Sequence, residues 1–451
     1  MTKKNDLKSE YFGKDFVWGV SSSASQTEGA WNEDGRGASV WDHFATKRKK
    51  ILYNHTPEIA CDFYHRYPED ISIIKSLGIP NFRFSLSWSR ILPDGTGEIN
   101  KKGIDYYNRI FDECQKRNII PWITLYHWDL PQTLQLKGGW KNRDIIYWFE
   151  EYVSVCSKAF KDSVRNWMIL NEPSVYTGAG YFFGIHAPGE KGSKKFLSAV
   201  HHSVLCQAIG ANTIRREIKG AHVGTTFSCS YITPSSNKLK DIAAANRVDA
   251  ILNRLFIEPS LGLGYPLKDI PLLHKIEQYF HQGDEKLMKV EFDFIGLQCY
   301  TREVVAYNYF APYIKAKLIP ANRRKVYHTV MDWEVYPEAI YQMIKKFSSY
   351  HGVKKIIITE NGAAFNDKLE KNKVADVERI HFFSNYIAQV YRAKKEGYKV
   401  HGYFIWSLTD NFEWAEGYYP RFGLVYIDFK TQKRIIKDSG YWVKNFLMDV
   451  N

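Results

Sequence analysis

Eight short apolar runs, each stopped by turn residues, recur along the chain with room for a helix between them. No other feature limits the folds open to the chain as much. The runs occupy residues 16–20, 81–88, 120–126, 166–170, 221–227, 292–297, 355–359 and 400–407. Segments of helical period lie between them. One, residues 144–160, places Ile145, Trp148, Tyr152, Val155 and Ala159 on one stripe. Another, residues 377–396, aligns Ile380, Phe383, Ile387 and Val390, with Gly397 placed to end the helix. Strand then helix, repeated eight times, predicts a closed parallel (β/α)8 TIM barrel rather than an open sheet. The 451 residues exceed the roughly 250 of a minimal barrel, so the surplus is expected in extended βα loops. Residues 22–81 and 298–354, both rich in aromatic side chains, are the candidates. With no Gly/Pro/Ser linker and no internal repeat, one domain spanning residues 1–451 is expected.

The seventh run ends in Ile356-Ile357-Ile358-Thr359-Glu360-Asn361-Gly362, a doubly buried strand that delivers a carboxylate to a turn. The fourth ends the same way, in Trp167-Met168-Ile169-Leu170-Asn171-Glu172-Pro173. Barrels of this kind keep their chemistry at the C-terminal ends of the strands. Glu172 and Glu360 are therefore expected to converge across one pocket. Two facing carboxyl groups are what glycoside hydrolysis requires, one to protonate the leaving oxygen and one to attack the anomeric carbon or activate water. Arg83 lies near the end of the second run and points inward if Phe82 and Phe84 point outward. There it would hold a carboxylate ionised. The same rim carries Gln26, His127, Trp128, Tyr300, Trp406, Glu413 and Trp414. Amides, imidazole and carboxyl groups beside indole rings match a sugar's hydroxylated edge and C–H face.

The net charge of +13 and the cluster Lys47-Arg48-Lys49-Lys50 raise nucleic-acid binding as an alternative. The other basic residues are interleaved with acids, so a solvated surface is expected and no nucleic-acid partner. Six scattered cysteines without a Cys-x-x-Cys pair point to reduced, packed thiols. The segment Met1 to Asp6 is charged and lacks the apolar run of a secretion signal, and no stretch reaches membrane-span length. A soluble cytoplasmic protein is expected, without membrane partner or cofactor; the oligomeric state is not encoded legibly. A metal-dependent hydrolase would have to use His201, His202 or His351, which fall on helical or loop segments away from the strand ends. A non-catalytic carbohydrate-binding barrel would be marked by loss of one carboxylate, and both are present.

These motifs carry a resemblance. Asn171-Glu172-Pro173 and Ile358-Thr359-Glu360-Asn361-Gly362 resemble the two signatures of glycoside hydrolase family 1, the retaining β-glucosidase family. Phe16-Val17-Trp18-Gly19 with Gln26-Thr27-Glu28-Gly29-Ala30 is similar to its amino-terminal signature. The likeness runs on through residues 406–414 to Arg421-Phe422-Gly423, essentially the whole chain. It implies that Glu172 is the general acid/base and Glu360 the nucleophile, with Tyr300 and Arg83 positioning and ionising Glu360. It further implies that Gln26, His127, Asn171, Glu413 and Trp414 bind glycone hydroxyls and that Trp406 stacks under the ring. Trp128, Trp333 and Phe422 complete the expected substrate lining. The implied substrate is a small β-glycoside, with β-glucoside favoured and β-galactoside or β-fucoside as the alternative.

Two branches of that family fit less well. Its members acting on 6-phosphorylated sugars carry a serine, a lysine and a tyrosine where this chain has Trp414, Pro420 and Phe422. Its thioglucosidases replace the acid/base glutamate by glutamine. Departures are expected on the leaving-group side: Gln298-Cys299-Tyr300 where Asn-Tyr-Tyr is common, Ser174 where a tryptophan is frequent, and Ser228-Cys229 where asparagines are common. Trp333 and His186 are expected to line that entrance.

Overall fold

The computed structural model describes residues 7–448; the charged segment Met1 to Asp6 lies outside them. The apolar runs form strands β1 (Val17–Ser21), β2 (Asn81–Ser85), β3 (Ile120–Tyr126), β4 (Asn166–Asn171), β5 (His222–Pro234), β6 (Phe294–Tyr307), β7 (Ile356–Asn361) and β8 (Val400–Trp406). All pair in parallel with their neighbours. β1 sits between β2 and β8, and β5 pairs with both β4 and β6, which closes the sheet into a barrel. Outer helices follow, among them Phe63–Ser76, Lys101–Lys116, Ile145–Phe160, Ser193–Glu217, Glu338–Ser348, Val377–Lys395 and Asp438–Met448. This is the predicted (β/α)8 barrel.

Side-chain alternation fills the inside. Val17, Trp122, Met168, Phe294, Ile357 and Phe404, from β1, β3, β4, β6, β7 and β8, form a separate apolar layer within the barrel. Gly19 makes room for it, since a Cβ there would run into the Phe404 ring. Phe82 and Phe84 instead join the larger core between strands and helices, which turns Arg83 inward as expected. Arg83 rests on the layer, its Nε 3.1 Å from the Met168 sulfur and 3.1 Å from Thr124 Oγ1. The layer thus forms the floor of whatever is built above it.

Several local expectations change. On helix Ile145–Phe160 the buried face is Ile145, Ile146, Phe149, Tyr152, Val153, Cys156 and Phe160, while Ala159 is exposed. The helix packs on Ser193–Glu217 as well as on the barrel, and this second contact rotates the stripe. Residues 298–307 are strand rather than loop, because β5 and β6 continue past the rim as a paired arm joined by antiparallel Ala316–Leu318. Long connections also follow β4 and β8, the latter carrying the hairpin Val425–Asp428/Lys433–Ile436.

The basic run at residues 47–50 is exposed. All six cysteines are free and buried. Among the described residues, no helix is long and apolar enough to cross a membrane.

Candidate active site

Above the floor, Arg83 is the hub. Its Nη1 donates to Glu360 Oε1 and its Nη2 donates to Asn171 Oδ1 at 2.5 Å. Tyr300 OH donates to Glu360 Oε2 at 2.7 Å, so both nucleophile-side oxygens are held. Tyr300 is itself steadied by Tyr386, whose hydroxyl donates to the Tyr300 carbonyl at 3.0 Å. Glu172 enters from the end of β4 in left-handed backbone conformation, φ +46°, with its N–H donating to Thr226 O at 3.0 Å and Pro173 opening a short helix behind it. The strand ends show register shifts at residues 168–171, 229–231, 297–298 and 358–361. Such irregularities re-aim side chains at a barrel rim.

The two carboxyl groups are electrostatically unequal. Burial, and next the charge of Glu360, push the Glu172 carboxyl up to about 8, against a smaller opposing pull from Ser228 and Arg83. Burial raises Glu360 too, but the Arg83 charge and the hydrogen bonds from Arg83 and Tyr300 act against it. Of the two, Glu172 therefore keeps the proton and Glu360 the charge. Glu413, the third carboxyl in the site, is raised well above its usual range by burial and by Glu360 and Glu172.

Asn171 Oδ1 also accepts from Thr226 Oγ1 at 3.0 Å and Gln298 Nε2 at 2.8 Å. Its Nδ2 must then be the group that meets His127 Nε2, at 3.0 Å. His127 is kept neutral by burial and by Arg83. Its proton accordingly sits on Nδ1, which has no partner among the described residues and is a donor offered to the site. Gln26 Nε2 lies 3.1 Å from Glu413 Oε2, 3.1 Å from Asn411 Oδ1 and 3.0 Å from Phe412 O. Its Oε1 accepts from Ser23 at 2.7 Å. The rings of His127, Trp406 and Trp414 lie together, with His127 6.0 Å from Trp406 and 5.8 Å from Trp414. Trp128 packs 4.6 Å from Trp414. Its indole N–H is already spent on the Asn171 carbonyl at 2.8 Å, so Trp128 buttresses the site rather than offering it a donor. Trp333, 5.1 Å from Tyr300 and 6.0 Å from Phe422, completes an aromatic wall with Trp406.

The loop after β8, which supplies Glu413, Trp414 and Phe422, is pinned by buried charge. Asp410 pairs with Arg421 at 2.6 Å and with Lys437 at 2.6 Å, and Lys437 and Arg379 share Asp367. At the other side of the rim, Gly362 passes so close to Trp406 that any Cβ would overlap its carbonyl oxygen. The Asn-Gly after Glu360 is thus a packing requirement as well as a turn.

All the expected site residues are joined in one network of contacts at the mouth of the barrel: Gln26, Arg83, His127, Trp128, Asn171, Glu172, Tyr300, Trp333, Glu360, Trp406, Glu413, Trp414 and Phe422. The leaving-group side needs one correction. Ser228 faces Glu172, but Cys229 is buried opposite Cys299 and turned away, because consecutive strand residues alternate. His186 packs edge-on against Trp41 at 5.4 Å and tilted against Trp128 at 5.8 Å. Thr124 and Thr226 belong to the network but match no motif, their only sequence signal being position on a barrel strand; Asn411 lies within the 406–414 stretch but is not singled out by it. His201 and His202 lie within a helix and bond Asp284, Tyr265 and the Trp140 carbonyl, away from the mouth.

A parallel barrel whose mouth holds one proton-bearing and one charged carboxyl among indole rings is the architecture of a glycoside hydrolase. Comparison with known proteins agrees: the model of glycosyl hydrolase family 1 matches residues 8–450, and the chain belongs to that family. Relatives include β-glucosidase A of Acetivibrio thermocellus, 43% identical over 97% of this chain and 98% of the relative. A 1,4-β-D-glucan glucohydrolase of Thermotoga neapolitana is also 43% identical, over 97% and 98%. A family 1 β-glucosidase structure from Thermotoga maritima superposes with a TM-score of 0.92 at 41% identity, covering 97% of this chain and 98% of that one. A β-glucosidase from Thermotoga maritima in complex with glucoimidazole gives 0.91 at 42%, over 96% and 97%. The chain is a glycosidase of a family that works with retention.

Proposed function

We propose that this protein is a β-glucosidase that removes the terminal non-reducing β-D-glucosyl residue from small β-glucosides or short oligosaccharides by double displacement. The observation that carries the assignment is the inequality of the two carboxyl groups. Glu360, held by Arg83 and Tyr300, is the nucleophile, and Glu172, pushed to about 8, is the general acid. Glu172 donates its proton to the leaving oxygen while Glu360 attacks the anomeric carbon. Esterification of Glu360 removes its negative charge, which lowers the affinity of Glu172 for a proton and suits it to deprotonate the incoming water. Asn171, Glu413, Gln26 and His127 Nδ1–H bind glycone hydroxyls, Trp406 and Trp414 supply ring faces, and Trp333 and Phe422 flank the leaving group.

The glucosyl preference rests on the names of the relatives, with β-galactoside or β-fucoside as the competing substrate. The chain is proposed to act as one domain in the cytoplasm, where six buried free thiols are at home. The test is hydrolysis of nitrophenyl β-glucoside, β-galactoside, β-fucoside and β-mannoside. Highest kcat/KM on the glucoside supports the proposal, and no release from any of them refutes it. A Glu172→Ala variant supplied with azide is expected to yield the β-glycosyl azide.

A further inference from the structure

Gln298 enters the site from β6, where it stands level with Ser228 on β5 and Glu360 on β7. It is fully buried, and it is the residue where the family resemblance leads one to expect asparagine. Its Nε2 is one of three donors on Asn171 Oδ1, the others being Arg83 and Thr226. Its Oε1 has no donor among the described residues. A buried amide oxygen without a donor is unfavourable, and native structures keep such atoms where a ligand or water supplies the missing group. Here the other end of the same amide is anchored inside the catalytic network, so the free oxygen lies within the site as well.

What it meets follows from its neighbours. Glu360 attacks the anomeric carbon, so groups level with Glu360 and beside Asn171 border that carbon and the ring carbon next to it. That carbon bears the 2-hydroxyl. We propose that Gln298 is a substrate ligand whose Oε1 accepts a hydrogen bond from the glycone 2-hydroxyl while its Nε2 holds Asn171. As positive charge develops on the sugar ring the 2-hydroxyl becomes a stronger donor, so the contact tightens toward the transition state. Gln298 then acts mainly on kcat. This inference rests on the glycosidase assignment above.

The test compares Gln298→Met, similar in volume and without an amide, with the parent enzyme on nitrophenyl β-glucoside and its 2-deoxy analogue. The expected result is a loss of roughly 10- to 100-fold in kcat/KM on the glucoside and less than about 3-fold on the 2-deoxy substrate. Equal losses on both would overturn the proposal. Thr226→Val removes another Asn171 donor and leaves Oε1 untouched, so it is expected to lack this selectivity. The same selective loss in Thr226→Val would show that Gln298 acts only through Asn171. A fall in the basic limb of the pH profile with no 2-hydroxyl selectivity would assign Oε1 to the Glu172 proton instead. If Gln298→Met does not fold, Gln298→Asn, which withdraws the amide by one methylene, serves for the same comparison. Parent enzyme inactive on every chromogen would refute the function itself, which is a distinguishable failure.

Discussion

Replacing Glu360 by glutamine should lower the pKa of Glu172, and by an amount the site allows one to work out. Glu172 stands at about 8 against 4.5 for a free glutamate, with burial the larger cause and the Glu360 charge the second. A retaining pair sits about 5 Å apart. At an effective dielectric constant of about 20, two unit charges at that distance repel by ~3 kcal/mol, equivalent to ~2 pH units. Since burial is the larger contributor and persists in the variant, the fall should be about 1 to 2 pH units, to between ~6 and ~7. Freeing Arg83 from its anionic partner acts in the same direction. The glutamine keeps the shape of the side chain, and the variant mimics the charge state of the glycosyl-enzyme intermediate. The assay is a carboxyl-carbon NMR titration of labelled glutamate, with the Glu172 signal identified by its loss in Glu172→Gln. A midpoint in Glu360→Gln equal to or above that of the parent would refute the proposed switch of Glu172 from acid to base.

Three further outcomes follow from the same geometry. Because Glu172 retains a proton that the unfolded chain loses near 4.5, its contribution to stability is whole below that pH and declines as pH rises toward about 8; Glu172→Gln should abolish this decline and be more stable than the parent at pH 8 by up to about 4 kcal/mol in urea denaturation, the gap closing at pH 5. Tyr300→Phe removes a hydrogen bond that favours charged Glu360, so the acid limb of kcat/KM should move up by about one pH unit and kcat at pH 7 fall roughly 10- to 100-fold; an unmoved limb contradicts the positioning role. Lys437→Met strips the buried cation shared by Asp367 and Asp410 beneath the loop after β8 and should cost about 3 kcal/mol or more in urea denaturation, with a change under about 1 kcal/mol counting against the network.

The eight apolar runs and the carboxylates ending two of them were legible because strand burial and barrel chemistry are local in sequence: a doubly buried strand must be a continuous apolar run, and a reacting group must follow it. Arg83 was placed correctly by alternation alone, since β2 is regular. Alternation failed where regularity ended. Register shifts at the ends of β4, β5, β6 and β7 re-aim the residues that do the work. Trp128 reads as a sugar contact until its indole N–H is found on the Asn171 carbonyl, 43 residues away in sequence. The proton balance between Glu172 and Glu360 is likewise invisible in either motif, because it arises from shared burial and from one guanidinium delivered by β2.

The sequence by itself thus determined the barrel, the family and the pair of glutamates, since each is written in a contiguous motif with its own physical signature. Only the tertiary structure decided how the barrel closes through β5 and β6, which donors remain free, and that Gln298 brings an unpartnered oxygen level with Glu360. Those properties depend on hydrogen bonds between strands far apart in the chain, and such bonds exist only once the barrel has closed.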